Sequence, residues 1–512
     1  MAVAINYAST SLGNAELEQQ FESELMRIRG SETTSVPLII GGVEVHSSSV
    51  VERFDPCHLD RKISSAAVAT TEHVAAAVAA AHAQRKAWRN TSYQDRNAAI
   101  RKARTVIERD LLTISAILSA ETGKTRLEAV GETQEVLDMI DHYCGEIERN
   151  EGYSKPLKAK DPEFNTDLLI PFGTFAVIVP FNFPVALAAG MMLGALVTGN
   201  TVVVKSSDKT PLSTHVVAKI FADALPAGVV NILHGGAEVG AALGATDVDG
   251  IAFTGSSKVG WELAATRSPN GLPRPVLAEM GGHNPVIVMP SANLDDAATG
   301  IVRSAYGLSG QKCSALRRVV VDASVADELA SKIVERINAL TVGDPLDVAT
   351  NLGPVIDDAI GARVDAALAS AQKDGRVITG GRIDVPGNFF APVLVADLPA
   401  GHPLTREELF APFVTMITVN GMDEALAEAN AVQYGLSAGV FSRDQSEVDQ
   451  FLDEIQAGVL YVNRAAGATT GAWPGVQSFC GWKMSGSSGK GGLAYWYLPG
   501  FMREQSRTIV EV

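Results

Sequence analysis

Cys313 stands where a catalytic thiol would be placed. It belongs to the run Gly-Gln-Lys-Cys-Ser at residues 310–314, shortly before the apolar, strand-like residues 319–321. A free thiol titrates at about 8.5 and attacks carbon as the thiolate, so it needs help from its surroundings or from a base. Because a single cysteine is more often a small buried apolar residue, the catalytic interpretation depends on what accompanies it.

Two upstream segments carry groups that this chemistry would need. Residues 180–184 read Pro-Phe-Asn-Phe-Pro, and residues 279–285 read Glu-Met-Gly-Gly-His-Asn-Pro. A thiolate that attacks a carbonyl carbon forms a tetrahedral oxyanion, which fixed hydrogen-bond donors stabilise by about 3–4 kcal/mol each. An acyl group left on the sulfur as a thioester is hydrolysed with the help of a carboxylate. Each segment alone could be a turn or a solvated strand end, but together with Cys313 they favour an active site.

In their order and spacing, these three segments resemble the active-site motifs of the aldehyde dehydrogenase superfamily. The resemblance covers the chain from about Leu38 to its end. It implies that Cys313 is the nucleophile, that Asn182 and the backbone N–H of Cys313 bind the oxyanion, and that Glu279 is the general base. It also implies an α/β fold with a Rossmann-type cofactor domain, an α/β catalytic domain and a β oligomerisation arm.

A dinucleotide site is expected in an unusual form. No Gly-x-Gly-x-x-Gly fingerprint follows the first strand. Gly255 and Ser256 instead lie between a strand-like and a helix-like stretch, where backbone amides and a helix N-terminus can meet a pyrophosphate. A plain strand-to-helix turn is the alternative, but the family uses this position for the pyrophosphate.

The resemblance implies further contacts to the cofactor. The lysine that hydrogen-bonds the adenosine ribose corresponds to Lys205, and the residues that hold the nicotinamide ribose and ring correspond to Glu408 and Phe410. A solvated surface is the alternative for Lys205 and Glu408. NAD is the expected cofactor, with NADP as the alternative, because the family often carries the longer Glu at Asp208. The remaining cofactor-binding residues are Phe181 and Gly235.

One branch of the family, which oxidises L-glutamate γ-semialdehyde (1-pyrroline-5-carboxylate), is most similar to this chain. The similarity lies in the run around Cys313 and in Tyr-Val-Asn-Arg at residues 461–464. In that branch a serine after the nucleophile and a Gly-Ala backbone pair grip the substrate's α-carboxylate. The matching residues are Ser314, Gly471 and Ala472, with Gly467 and Ala468 as an alternative pair. The expected reaction is NAD(P)-dependent oxidation to glutamate through a cysteine thiohemiacetal and a thioester.

Departures from that branch leave other substrates open. Residues 478–481 read Ser-Phe-Cys-Gly instead of Pro-Phe-Gly-Gly at the aldehyde mouth, so another aliphatic, semialdehyde or aromatic aldehyde is an alternative. Acyl transfer to coenzyme A is disfavoured by Glu279, since relatives that carry it out do not rely on a deacylating base. A non-catalytic scaffold is disfavoured because Cys313 and Glu279 are both present. Cys480 is either redox-active or a packed thiol, and His283 is expected to be solvated or to cap a helix.

Composition and charge limit the classes of function. The chain has 512 residues, of which 46% are hydrophobic and 20% charged, enough for more than one core. A net charge of −16 argues against nucleic acid or an anionic membrane as a partner. The four widely spaced cysteines form neither a disulfide framework nor a metal-binding pattern. Without a signal peptide or a spanning apolar run, a cytoplasmic protein with no bound metal is expected.

The pattern of apolar residues predicts several domains. An N-terminal extension, residues 1–37, contains a helix near 17–28, and amphipathic helices follow a hairpin-like 38–43 over residues 75–150. A parallel sheet with crossover helices is predicted from strands near 176–179, 201–204, 229–233 and 250–253. These elements form the dinucleotide-binding domain, residues 38–152 and 171–280.

A second alternating series follows Glu279 and predicts the catalytic domain, residues 281–490. Its strands are expected near 286–288, 319–321, 393–395 and 458–463. The resemblance implies that residues 153–170 and 491–512 form an arm that packs on a neighbouring subunit. The protein is therefore expected to be a homodimer or a homotetramer.

Overall fold

Helices and strands alternate along most of this chain. The computed structural model describes residues 5, 9, 12–13, 15–467 and 472–510. The helices are α1 Ala15–Gly30, α2 Thr71–Asn90, α3 Tyr93–Arg109, α4 Leu111–Thr122, α5 Arg126–Arg149, α6 Ala186–Val197, α7 Pro211–Ala224, α8 Ala237–Gly244, α9 Ser257–Ala265, α10 Leu294–Tyr306, α11 Ala326–Asn338, α12 Asp358–Asp374, α13 Gly421–Asn430 and α14 Gln445–Glu454.

The strands are mostly short and apolar, as expected of strands buried between helices. In chain order they are β1 Thr34–Val36, β2 Leu38–Ile40, β3 Val43–Val45, β4 Val50–Asp55, β5 His58–Ala67, β6 Ser154–Pro156, β7 Glu163–Pro171, β8 Thr174–Ile178, β9 Thr201–Ser206, β10 Val230–His234, β11 Gly250–Gly255, β12 Val276–Met280, β13 Asn284–Val288, β14 Leu316–Asp322, β15 Arg376–Arg382, β16 Phe390–Ala396, β17 Phe413–Val419, β18 Tyr434–Gly435, β19 Ser437–Phe441, β20 Val459–Val462, β21 Trp482–Lys483 and β22 Met502–Val510. The predicted α/β fold class is confirmed.

The first large sheet has seven strands in the order β12-β11-β8-β9-β10-β2-β3. Strands β8 to β12 run parallel, whereas the hairpin of β2 and β3 closes one edge in the antiparallel sense. Strands β8 to β11 overlap the four strands predicted for this half of the chain. A parallel sheet collects the carboxyl ends of its strands at one edge, where ligands of open α/β sheets bind.

The second large sheet also has seven strands, in the order β15-β16-β17-β14-β13-β19-β20. All of its neighbours are parallel except the edge pair β15 and β16. Its apolar strands pack under α10 and α11 in a core that is separate from that of the first sheet. Cys313 lies between α10 and β14, three residues before the start of β14.

Residues 34–67 contain a small sheet that the sequence analysis did not predict. Its order is β1-β5-β4, with β1 and β5 parallel and β4 and β5 antiparallel. Strand β5 reads HLDRKISSAA, so its polar and small residues give no clear apolar alternation. The predicted N-terminal helix is present as α1, whose buried Phe21 and Leu25 join the main core beside α4.

The chain's last described strand belongs to a separate three-stranded sheet of β6, β7 and β22. Strand β22 pairs with β7 in the antiparallel sense, from Met502 opposite Pro171 to Val510 opposite Glu163, and β6 flanks β7. Several large apolar side chains of this sheet are exposed, among them Phe164 and Ile509. An exposed sheet with apolar residues is a surface suited to pairing with another chain.

Three further features concern membranes, metals and disulfides. No described helix is both long enough and apolar enough to cross a membrane. Within the described ranges, no group of three or more His, Cys, Asp or Glu side chains is arranged to hold a metal ion. Cys57, Cys144, Cys313 and Cys480 are all free thiols.

Candidate active site

Cys313 lies where two cavities meet. The larger cavity, about 1100 Å³, runs along the carboxyl ends of β8, β9 and β11, and the smaller, about 110 Å³, lies between α5, α6 and residues 472–497. Among the described residues, only Thr254 and Cys313 line both. A nucleophile at this junction can be reached by one ligand from each side.

Two polar side chains fix the loop that carries the nucleophile. Asn284 donates through Nδ2 to the carbonyls of Cys313 and Ala315, both at 2.8 Å. Arg317 is completely buried and donates to the carbonyl of Ala411 at 2.8 Å and to that of Gly310. The charge-assisted contacts of Arg317 tie the loop of Cys313 to the segment that follows Phe410. Neither Asn284 nor Arg317 was assigned a role from the sequence.

The turn before the nucleophile has an unusual backbone. Leu308 and Ser309 both have φ of 49°, and Gly310 has φ of 69°. Left-handed backbone at residues other than glycine costs about 1–3 kcal/mol each and concentrates at functional sites. A Cβ on Gly310 would lie 2.2 Å from the carbonyl oxygen of Ala411, so only glycine fits. Steric exclusion therefore explains why the first residue of the Gly-Gln-x-Cys pattern is glycine.

The thiol of Cys313 is protonated at neutral pH before substrate arrives. Burial, with the nearby carboxyls of Glu408 and Glu279, raises the pKa of Cys313 to about 12. A thiolate must therefore form with the help of a base or of a ligand that changes the local charge.

Glu279 is the penultimate residue of β12 and lines the smaller cavity together with Cys313. Burial raises the pKa of its carboxyl well above the ordinary value, against the opposing effect of a hydrogen bond from the backbone of Gly481. One carboxyl oxygen has no hydrogen-bond partner among the described residues. A desolvated carboxyl with a free oxygen beside a thiol is suited to take a proton from the thiol or from water.

Asn182 lies in the loop between β8 and α6 and points at the nucleophile loop. It is buried and lines the larger cavity, and its Nδ2 donates to the carbonyl of Gln311 at 3.0 Å. An amide nitrogen carries two hydrogens, so a second N–H can meet an oxyanion near Cys313. The accepting carbonyl lies two residues before Cys313, so the structure brings together the two loops in which the sequence analysis placed the oxyanion donor and the nucleophile.

The larger cavity has the shape of a phosphate cradle at one end. A Cβ on Gly255 would lie 2.5 Å from the ring of Phe253, so the backbone here accepts only glycine without rearrangement. Ser256 caps α9 by accepting from the backbone N–H of Val259 at 3.5 Å. Residues 257–259, in the first turn of α9, line the cavity, and a helix N-terminus favours an anion such as pyrophosphate.

Lys205, at the end of β9, is buried rather than solvated. Its ammonium donates to the carbonyls of Gly235 and Gly236 at 3.0 and 3.3 Å, and burial lowers its pKa to about 8. Gly235 has φ of 148°, which favours glycine, and it acts here by holding Lys205. Lys205 lines the cavity beside Ser207, whereas Asp208 is half-buried next to them and is not among the described lining residues.

Aromatic and acidic groups close the other end of the larger cavity. Phe181 and Phe410 meet edge to face at 5.8 Å between ring centres. Glu408 accepts from the backbone N–H of Gly282 at 3.1 Å, and burial raises its pKa to about 7. A Cβ on Gly281 would lie 2.0 Å from a carboxyl oxygen of Glu408. The cavity therefore offers a glycine cradle, a buried lysine and an aromatic frame, which together fit a dinucleotide.

The smaller cavity contains charged groups that the sequence analysis did not identify. Ser314 and Ala472 line it, and so do Glu135 from α5 and Lys312. Lys312 pairs with Glu128 at 2.7 Å. Glu135 carried no signal in the sequence because acidic residues on amphipathic helices usually face solvent. Gly471 and Ala468 lie outside the described residues, so the expected Gly-Ala contacts stay predictions.

Two expectations about single residues have clear outcomes. His283 is 3% exposed, so the expectation of a solvated residue is wrong, and burial keeps its pKa well below the ordinary value. His283 directly precedes the buried strand β13, which explains its burial. Cys480 is half-buried and donates through Sγ to the carbonyl of Gly458 at 3.3 Å. This contact fits a packed thiol.

Comparison with known proteins places the chain among its relatives. The model of the aldehyde dehydrogenase family matches residues 43–504. The chain is 36% identical over 485 residues to a 1-pyrroline-5-carboxylate dehydrogenase of Bacillus cytotoxicus, covering 92% of each chain. The fold is similar to that of a variant of the Thermus thermophilus 1-pyrroline-5-carboxylate dehydrogenase, with a TM-score of 0.94, 32% identity and 98% of each chain covered.

A second structure of a 1-pyrroline-5-carboxylate dehydrogenase from Thermus, with bound NAD, has a TM-score of 0.93, with 32% identity over 98% of each chain. The family match covers most of the sequence, and each of these relatives spans nearly the full length of this chain. The predicted family is confirmed. This chain belongs to the aldehyde dehydrogenase family.

Proposed function

We propose that the protein oxidises L-glutamate γ-semialdehyde to glutamate with NAD as the hydride acceptor. The observation that carries the proposal is the position of Cys313 between a cavity that fits a dinucleotide and a smaller one lined by Ser314 and Glu135. The relatives named 1-pyrroline-5-carboxylate dehydrogenase support it, and so does the NAD bound to the Thermus protein. A different aldehyde is the second candidate, since the mouth segment 478–481 departs from that branch.

The first half of the reaction forms a thioester. The thiol of Cys313 loses its proton to a base such as Glu279, and the thiolate attacks the aldehyde carbon. Asn182 and the backbone N–H of Cys313 stabilise the resulting oxyanion, each by about 3–4 kcal/mol. A bound nicotinamide supplies the acceptor for the hydride that leaves this carbon. Phe181, Phe410 and Glu408 orient that acceptor and exclude water on the cofactor side.

The second half hydrolyses the thioester. Glu279 lines the cavity that holds the acyl group, and after it has released the thiol's proton to solvent its unpartnered oxygen can accept a proton from water. The hydroxide so formed attacks the thioester carbonyl, and the same donors stabilise the second oxyanion. Collapse releases glutamate and the thiolate of Cys313, which takes up the proton that Glu279 removed from water.

Substrate preference provides the first test. The substrate's α-carboxylate and ammonium need charge-assisted bonds worth about 1.5–3 kcal/mol each, for which Ser314 and Glu135 are placed. Pentanal makes none of these bonds. We therefore expect kcat/KM to be at least about tenfold higher for glutamate semialdehyde than for pentanal.

Ser314→Ala should erode that preference while leaving the pentanal rate nearly unchanged, so pentanal serves as the internal control. Steady-state kinetics that follow the absorbance of the reduced nicotinamide measure both values. Equal use of the two aldehydes, or a preference for an aromatic aldehyde, would remove the substrate assignment and leave the dehydrogenase chemistry in place.

Cofactor preference provides a second test. A carboxylate near the adenosine ribose accepts hydrogen bonds from its hydroxyls and repels a 2′-phosphate. We expect kcat/KM for NAD to exceed that for NADP by about tenfold or more, the effect of one charge-assisted bond. Asp208→Ser should lower the ratio of kcat/KM for NAD to that for NADP. The surface variant Asp223→Ser, which loses an ion pair with Lys219, should leave this ratio unchanged. A clear preference for NADP would contradict the role of Asp208.

We also propose the domain division and assembly expected from the sequence. Residues 38–152 and 171–280 would form the cofactor domain, 281–490 the catalytic domain, and 153–170 with 491–512 the arm of a cytoplasmic homodimer or homotetramer. The exposed apolar side chains Phe164 and Ile509, on the sheet of β6, β7 and β22, support an arm that packs on another subunit. Light scattering of the purified protein would measure the assembly.

A further inference from the structure

The carboxyl group of Glu132, in α5, anchors the loop that carries Asn182. Its Oε1 accepts from the backbone N–H groups of Val185 at 2.9 Å and Ala186 at 3.0 Å, and its Oε2 pairs with the ammonium of Lys124. Glu132 and Lys124 are both fully buried. Helix α6 begins at Ala186 without a capping side chain of its own. Glu132 therefore supplies from another helix the cap that α6 lacks.

The loop is held on both sides of Asn182. The ammonium of Lys124 lies 3.7 Å from the centre of the Phe183 ring, which follows Asn182 directly. On the opposite side, Asn182 donates to the carbonyl of Gln311 in the nucleophile loop at 3.0 Å. A change at Lys124 would therefore reach Asn182 through its direct neighbour Phe183. A change at Glu132 would reach it through the short backbone segment that ends at Val185.

Helix α5 contacts both halves of the catalytic centre with one face. Glu128 and Glu132 lie one turn apart on this helix. Glu128 pairs with Lys312, the residue before Cys313, at 2.7 Å. Glu132 holds the loop of Asn182. One rigid helix therefore sets the distance between the oxyanion donor and the nucleophile.

We propose that Glu132, together with Lys124, is a positioning residue for the oxyanion hole. The pair fixes the amide of Asn182 relative to Cys313. It gives a role to Lys124 of the Glu-Thr-Gly-Lys segment at residues 121–124, which the reaction steps do not use. The inference rests on the proposed function, because it presupposes that Asn182 binds the oxyanion.

A neutral pair of variants tests the proposal. Lys124→Met/Glu132→Leu removes both charges and leaves no buried ion unpaired, so the fold should survive. We expect the stopped-flow burst of reduced nicotinamide to slow by about 10²-fold, the effect of a displacement of about 1 Å at a reacting group. The dissociation constant for NAD should stay unchanged. Lys124→Met/Glu132→Gln keeps an acceptor oxygen for the two N–H groups and should recover at least about tenfold of the rate.

A double-mutant cycle with Asn182→Ala separates positioning from general stability. Asn182→Ala alone should cost about 10²–10³-fold. In that background Lys124→Met/Glu132→Leu should cost less than about threefold more, because the group that it positions is gone. Lys124→Met/Glu132→Gln, the variant that best preserves side-chain volume, is carried through the same cycle. Its effect on the burst rate should likewise nearly disappear in the Asn182→Ala background.

Glu121 provides the matched control. It is also a fully buried carboxyl group, and it caps α7 by accepting from the backbone N–H groups of Leu212 at 3.0 Å and Ser213 at 2.8 Å. Glu121→Gln should lower the melting temperature. Any loss of burst rate that it causes should be independent of Asn182, so the losses of Glu121→Gln and Asn182→Ala should multiply in the combined variant. Unchanged burst rates in the paired variants, or losses that multiply with Asn182→Ala, would overturn the proposal. A harmless Asn182→Ala would instead overturn the oxyanion assignment itself.

Discussion

Replacement of Cys313 by alanine is expected to abolish aldehyde oxidation, with a loss on the order of 10⁴–10⁶-fold, the scale seen when a covalent nucleophile is removed. No other thiol lines both cavities among the described residues, so nothing can replace it. Binding of NAD should persist, because the larger cavity keeps its glycine cradle and Lys205. Turnover assays and calorimetric titration with NAD measure the two effects.

The other cysteines serve as controls for Cys313. Cys57 and Cys144 are buried away from both cavities, and Cys480 donates to a backbone carbonyl. Alanine at each of these positions should retain most of the turnover. Substantial activity in the Cys313→Ala variant would exclude the covalent mechanism, and complete loss in the Cys480→Ala variant would assign that thiol a part in catalysis.

Replacement of Glu279 by glutamine should lower steady-state turnover by about 10²–10⁴-fold, the range of general-base catalysis. The amide keeps the size of the side chain and its acceptor for the backbone of Gly481 but cannot take a proton. If thiolate formation does not also need Glu279, reduced nicotinamide should appear in one stoichiometric burst. Mass spectrometry of the quenched enzyme should then find an acyl group on Cys313.

The pH profile gives an independent measure of the same group. Burial raises the pKa of Glu279 well above its ordinary value, so the carboxylate that accepts protons forms only as the pH rises through that raised pKa. Turnover of the native enzyme should therefore increase with pH. The Glu279→Gln variant should lose this rise in the hydrolytic step. An unchanged rate and profile in the variant would reject Glu279 as the base.

Most of the fold was predictable because its strands are apolar and bounded by turn residues. Strands β8 to β11 overlap their predicted positions, and the family prediction is confirmed. The sheet of β1, β4 and β5 was missed, because β5 mixes charged and small residues and because its partner β1 lies far back in the chain, with Thr34 opposite Ser64. Local periodicity contains no information about such partners.

Residue type and spacing singled out Cys313 and Glu279, and the structure brings both side chains to one cavity. The site was less predictable where burial decides the role. Arg317 lies in a strand and is completely buried, yet an arginine in a sequence suggests a solvated surface. Glu132 gave the same misleading signal on an amphipathic helix. Both residues act through backbone carbonyl or amide groups that only the folded chain brings near them.

The junction of the two cavities at Cys313 has a consequence for how this enzyme can evolve and be inhibited. Apart from Thr254 and Cys313, the described residues that line the aldehyde cavity do not line the cofactor cavity. Substitutions at Leu187, Phe479 or Leu493 can therefore reshape the aldehyde side and leave dinucleotide affinity as it was. For the same reason, a compound that fills the smaller cavity should inhibit without competing with NAD.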